Sequence, residues 1–156
     1  MNATRREALK AGGGAGLLAL LAAAGVLRPG MARAADWNKQ AFEQKTVAEA
    51  LRALGAQSPA SSDAILIKAP EIAENGAVVP IAIESKLPGT QTITLLIEKN
   101  PQPLAASFGI PAGTEANVST RVKMGQSSDV YALVQAGGKY YVTKKEIKIT
   151  LGGCGG

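Results

Sequence analysis

Val79-Pro80-Ile81-Ala82-Ile83-Glu84 places an apolar side chain at every second position. Successive side chains of a strand point to opposite faces, so Val79, Ile81 and Ile83 share one face and Pro80, Ala82 and Glu84 the other. The same period runs outward in both directions. Upstream, Ile65 and Ile67 alternate with Leu66 and Lys68. Downstream, Ile93, Leu95 and Ile97 alternate with Thr94, Leu96 and Glu98, and Val118, Thr120, Val122 and Met124 with Ser119, Arg121 and Lys123. Leu104 to Ile110 is a further candidate strand, and Val130 to Gln135 is a short run. Tyr140 to Leu151 closes the series, with Ile147, Ile149 and Leu151 opposite Glu146, Lys148 and Thr150. Turn signals stand between them: Asn75-Gly76, Pro88-Gly89, Asn100-Pro101, Pro111-Ala112-Gly113, Ser127-Ser128 and Gly137-Gly138. About six or seven short strands at this spacing predict a mainly β domain, an antiparallel sandwich, over residues 64–151. The alternative is an α+β domain with a helix packed on one sheet.

Ahead of the strands, Val47, Ala50, Leu51 and Leu54 fall at helical spacing, and Gly55 stands where a C-terminal cap belongs. One helix is therefore expected over residues 37–56. Gln57 to Asp63 reads as a turn-rich linker that completes an N-terminal segment of residues 35–63. Residues 1–34 have a different character. Arg5-Arg6 opens a positive stretch, Ala11 to Leu27 is apolar, and Ala32-Arg33-Ala34 is an A-x-A cleavage pattern, with the cut expected between Ala34 and Ala35. The apolar run is short and glycine-rich for a membrane span, which needs ~20 apolar residues. Thr4-Arg5-Arg6-Glu7-Ala8-Leu9-Lys10 resembles a twin-arginine export signal, though Thr4 and Ala8 depart from the usual serine and phenylalanine. The expected destination is the periplasm, with no membrane attachment after cleavage.

The full chain carries 17 basic and 12 acidic residues, a net charge of +5. The export segment holds Arg5, Arg6, Lys10, Arg28 and Arg33 against Glu7, so +4 of that +5 leaves with it and +1 remains. No basic surface is left to argue for nucleic acid or an anionic membrane as partner. The chain has no histidine and a single cysteine, Cys154. Metal sites of the His/Cys kind and Ser-His-Asp or Cys-His catalysis are excluded within this chain. An exported protein generally uses cysteines in pairs, so one cysteine is either a reactive thiol or a link to another chain.

Cys154 lies in Gly152-Gly153-Cys154-Gly155-Gly156. Glycine loses the most conformational freedom on ordering, so residues 152–156 are expected to form a mobile arm that holds the thiol out in solvent. Lys144, Lys145 and Lys148 lie upstream on a strand and offer no clear means of activating it. An unperturbed thiol, with pKa ~8.5, is only about 3% thiolate at neutral pH, so activation is expected from a docked enzyme.

An exported chain that reads Lys148-Ile149-Thr150-Leu151-Gly152-Gly153-Cys154-Gly155-Gly156 after a helix and a run of strands resembles the SoxY family, the sulfur carriers of bacterial thiosulfate oxidation. The resemblance implies an immunoglobulin-like sandwich and a covalent carrier without catalytic machinery or a resident cofactor. It implies Cys154 as the sulfur attachment point and Gly152, Gly153, Gly155 and Gly156 as the slim arm around it. It implies a SoxZ-like β-rich partner subunit, carried out with the folded chain by the twin-arginine route. It also implies transient docking to three enzymes. SoxAX, a haem enzyme, links thiosulfate to the cysteine; SoxB, a manganese-containing hydrolase, releases sulfate; and SoxCD, a molybdenum-haem dehydrogenase, oxidises the remaining sulfur. The chemistry suits a thiol, because sulfur stores and exchanges another sulfur through S–S bonds and persulfides are reversible.

Other readings compete. A lone exposed thiol can form an intermolecular disulfide in an exported structural or interaction domain. Gly155-Gly156 also resembles the end of ubiquitin-like sulfur carriers, but their adenylation needs ATP and leaves Cys154 without a role. Two residues follow Cys154 where a prenylation motif needs three. Trp37, Tyr140 and Tyr141 suit an interface, yet aromatic residues in strands more often pack in the core.

Overall fold

The computed structural model describes residues 38–150. Residues 1–37 and 151–156 lie outside the described residues, and with them the predicted export signal, Trp37 and the cysteine segment. The chain divides after Trp37 into two units, and every described residue belongs to the second.

The alternating segments all form strands. These are β1 (Ala60–Ser61), β2 (Ile65–Lys68), β3 (Ile72–Ala73), β4 (Val79–Ser85), β5 (Thr90–Ile97), β6 (Leu104–Gly109), β7 (Asn117–Val122), β8 (Ser128–Ala136) and β9 (Lys139–Ile149). One sheet has the order β1-β9-β8-β5-β6, with β3 also paired to β9; the other has the order β2-β4-β7. The inward residues of both sheets interdigitate. Val79, Ile81 and Ile83 from β4 meet Ile93, Leu95 and Ile97 from β5, Val130, Ala132 and Val134 from β8, and Ile147 from β9. All are essentially inaccessible to solvent. Each large aliphatic side chain so buried stabilises the fold by ~1.5–3 kcal/mol before chain entropy is charged against it. The predicted sandwich is thus the observed one.

Period two understates β5. Ile93 to Ile97 are buried without a break, Thr94 and Leu96 included. The reason is a second layer. Leu96 and Leu133, on the outward face of the larger sheet, pack with Ala41, Ala50, Ala56 and Leu104 beneath the N-terminal helices. Thr94 tolerates burial there because its hydroxyl bonds Ser107 Oγ at 2.9 Å. The helix-on-sheet alternative therefore describes the outer layer of the same sandwich.

The expected single helix is two: α1 (Lys39–Phe42) and α2 (Val47–Ala53). Thr46 ends the continuity. Its hydroxyl accepts from Glu49 N at 3.2 Å while Glu49 Oε2 accepts from Thr46 N at 3.2 Å, a reciprocal cap that starts a new helix. Asn38 ties the pair together, accepting from Ala41 N and donating Nδ2 to the Ala53 carbonyl at 2.9 Å. Gly55, at φ +79°, closes α2 as the sequence predicted, and Ala56 N reaches back to Leu51 O at 2.8 Å. Tyr140 Oη donates to Leu54 O at 2.9 Å, which fastens α2 to β9 and makes this tyrosine a packing residue.

Residues 57–63 are not purely linker, because Ala60 and Ser61 pair in parallel with Tyr141 and Val142 of β9. The chain then crosses to the smaller sheet as β2 and returns as β3, which pairs Ile72 with Lys148 and Ala73 with Ile149. This zigzag stitches the two sheets along one side of β9. β3 escapes sequence reading because two residues carry no period. The strand expected over residues 118–124 ends at Val122; Met124 is buried beyond it, its N–H bonded to Gly76 O at 2.7 Å. Asn117 of the Asn117-Val118-Ser119 pattern opens β7.

Leu95→Ala is expected to lower the unfolding free energy by about 2–5 kcal/mol. Tyr140→Phe should cost about 1 kcal/mol, since it removes one hydrogen bond and leaves the Leu54 carbonyl partly covered. Urea unfolding of the two variants measures both.

Candidate functional site: the root of the cysteine segment

Cys154, Gly152, Gly153, Gly155 and Gly156 lie outside the described residues, as do Arg5, Arg6, Ala34 and Ala35. What the fold defines is the ground from which the cysteine segment departs. β9 pairs along its whole length with β8, from Lys139 opposite Ala136 to Ile147 opposite Ser128. Its final residues are held from both sides. On one side Lys148 N donates to Glu71 O at 2.9 Å and Thr150 N to Ala73 O at 3.1 Å. On the other, Ile149 N donates to Ser127 Oγ at 2.9 Å. Ile147, two positions earlier, is buried in the core. The chain is therefore fixed through Thr150, and Cys154 follows about four residues later. A fully extended chain of that length spans at most ~14 Å.

Gly76 completes this root. A Cβ at Gly76 would overlap the Met124 carbonyl oxygen and press on Ile149 Cγ2 at 3.1 Å. The sequence marks Asn75-Gly76 as a turn, and Ala77 N does bond Asn75 Oδ1 at 2.9 Å. The stronger reason for glycine is close approach of three segments beneath the end of β9. Ser127, read only as half of a turn signal, is the acceptor that a sequence cannot point out: its partner, Ile149, is distant along the chain.

The thiol's reach excludes a resting place in the principal cleft. That cleft, about 570 Å³, is lined by residues 55–58 with Ala60, Lys139, Tyr140 and Tyr141. It lies at the hairpin end of β9, about ten residues back from Thr150, or roughly 30 Å at strand spacing. Four residues do not cover that distance.

The electrostatics offer no titration near neutrality among the described groups with a resolved shift. Lys68, hydrogen-bonded at 2.7 Å, holds the Glu84 carboxyl below its ordinary range. Asp129, bonded at 2.6 Å, raises the Lys144 ammonium. Partial burial, then Glu98, raises the Tyr131 phenol. Each moves away from pH 7. Lys145 donates to Ala69 O at 2.8 Å and is engaged in closing the β2–β3 connection. Among the described residues no group of three or more His, Cys, Asp or Glu is placed to hold a metal ion, and no helix is long and apolar enough to cross a membrane.

Two stacked sheets with helices over the outer face of the larger define the class as a β-sandwich, and comparison with known proteins defines the family. The family described as "Sulfur oxidation protein SoxY" matches residues 50–154, from α2 through the strands to Cys154 itself. The chain belongs to the SoxY family. The solved structure of the sulfur carrier protein SoxY from Chlorobium limicola f thiosulfatophilum is 38% identical, with 72% of this chain and 99% of that one covered at a TM-score of 0.62. Superoxide reductase (neelaredoxin) from Ignicoccus hospitalis is 19% identical over 55% of this chain and 80% of its own, with a TM-score of 0.50, a likeness of fold alone. No curated protein sequence matches significantly.

Gly76→Ala should destabilise the domain by about 1–3 kcal/mol through overlap with the Met124 carbonyl. Amide hydrogen exchange should then quicken at Ile149 and Thr150 while the β5–β8 pairing stays protected.

Proposed function

We propose that the chain is a periplasmic sulfur carrier of thiosulfate oxidation, with Cys154 as the covalent attachment point and Gly152, Gly153, Gly155 and Gly156 as a narrow arm. The single observation that carries this reading is the family match, which runs through Cys154, the only cysteine in the chain. The likeness to a sulfur carrier of solved structure supports it. So does the absence of histidine, which leaves the catalytic steps to other proteins.

The steps balance with the chain contributing one thiol. In loading, the Cys154 S–H bond breaks and an S–S bond forms to the outer sulfur of thiosulfate. One proton goes to water and two electrons go to the haem enzyme, here a SoxAX-type protein. The product is a cysteine S-thiosulfonate. Hydrolysis by a SoxB-type enzyme then breaks the bond between the outer sulfur and the sulfonate group. Water supplies the hydroxyl to sulfate and the proton to the persulfide left on Cys154. A SoxCD-type dehydrogenase would oxidise that outer sulfur in place. A serine at this position could not serve, because oxygen does not exchange sulfur through such bonds.

Glycine on both sides of Cys154 suits a group that must enter buried active sites, since no neighbouring side chain widens the strand of chain that carries it. A SoxZ-like subunit would be the standing partner, and export of the folded pair fits the twin-arginine pattern at Arg5-Arg6.

Cys154→Ser is expected to fold normally and to abolish thiosulfate-dependent electron transfer in the reconstituted system; undiminished turnover would refute the carrier role. Replacing Gly153 or Gly155 with tryptophan should slow transfer at least tenfold with little effect on thermal stability. An unchanged rate would count against the need for a narrow arm.

A further inference from the structure

A single exposed apolar residue is ordinary on a protein surface and needs no account. Here two occur at one place. Among the described residues the exposed large hydrophobics are Ile72, at 58% exposure, and Val78, at 50%. Both belong to the segment that grips the end of β9. Ile72 pairs in register with Lys148, and its neighbour Ala73 accepts the Thr150 N–H. Val78 donates its N–H to Asn75 O at 3.3 Å, two residues beyond Gly76, which abuts Ile149. Exposed charged side chains stand among them: Glu71, Glu74 and Lys148. An apolar centre with a charged surround is the anatomy of a docking patch.

The length of chain between Thr150 and Cys154 says what docks there. With at most ~14 Å of reach, the thiol enters a buried active site only if the enzyme's surface comes down close to Thr150. Whatever closes on Cys154 therefore touches the residues around the root, and those residues are Ile72 and Val78.

We propose that Ile72 and Val78 form the seat for the entrance rim of an enzyme that loads or unloads Cys154, and that this rim is apolar where it meets them. The inference rests on the carrier reading and names the surface through which that carrier is recognised. Because successive enzymes act on one thiol, each must present a comparable apolar rim to the same seat, and they compete for it. The contact is small, as a carrier that must leave requires: transient encounters sit at the low end of interface size.

The test uses the whole chain with its SoxZ-like subunit, and the SoxAX-type haem enzyme with thiosulfate as the loading probe. Ile72→Ser, Val78→Ser and the double variant are compared with the unaltered protein. The double variant should raise KM for the carrier about tenfold, with kcat within about twofold, as expected when two central contacts are truncated. Alkylation of Cys154 by iodoacetamide should be unchanged, which shows that the thiol itself is intact and accessible. An unchanged KM in the double variant overturns the seat while leaving the carrier reading standing. Loss of the SoxZ-like subunit from the double variant, or loss of self-association, also overturns it, by assigning the patch to a standing partner. Failure of the unaltered protein to acquire sulfur on Cys154 would instead defeat the carrier reading itself.

Discussion

The pairing of β9 governs the molecule. β9 is the longest strand, and it is bonded to β8 along one side and to β1 and β3 at the two ends of the other. Its early residues fasten the helical layer through Tyr140 and Leu54. Its middle places Ile147 in the core. Its end is held by Ala73 and Ser127, with Gly76 close beneath. A strand tied this way cannot slip by one residue without turning Ile147 out to solvent, so its register is strongly determined. The position from which the cysteine segment departs is determined with it.

That constraint links fold to function through distance. A carrier needs a rigid base and a short reach: the base tells the enzyme where the thiol will be, and the short reach ensures that only a docked enzyme receives it. Here the base is a strand end in a packed sandwich, and the reach is about four residues. The principal cleft sits at the opposite end of β9, beyond that reach. The cargo is therefore presented outward to other proteins rather than stored in the chain's own domain.

Much of this was legible in the sequence, for definable reasons. Alternation at Val79, Ile81 and Ile83 and at Ile93, Leu95 and Ile97 marks inward faces because a sandwich core is read in period two. Gly55 and the Gly137-Gly138 turn carry local signals, and both fall where local chemistry places them. The Cys154 segment marked the family directly, and the family match includes that residue. What escaped was set by contacts between distant segments. The break at Thr46 depends on a reciprocal cap that helical periodicity overran. β1 and β3 are too short to carry a period. The burial of Leu96 reflects the helical layer above it, and Ser127 gains its role only when Ile149 arrives beside it.

The most direct test of the account is intact and peptide-resolved mass spectrometry of this protein taken from cells oxidising thiosulfate. The account predicts a reducible sulfur-containing mass increment that maps to the peptide holding Cys154. A protein active in the pathway yet carrying its sulfur elsewhere, or none at all, would contradict it.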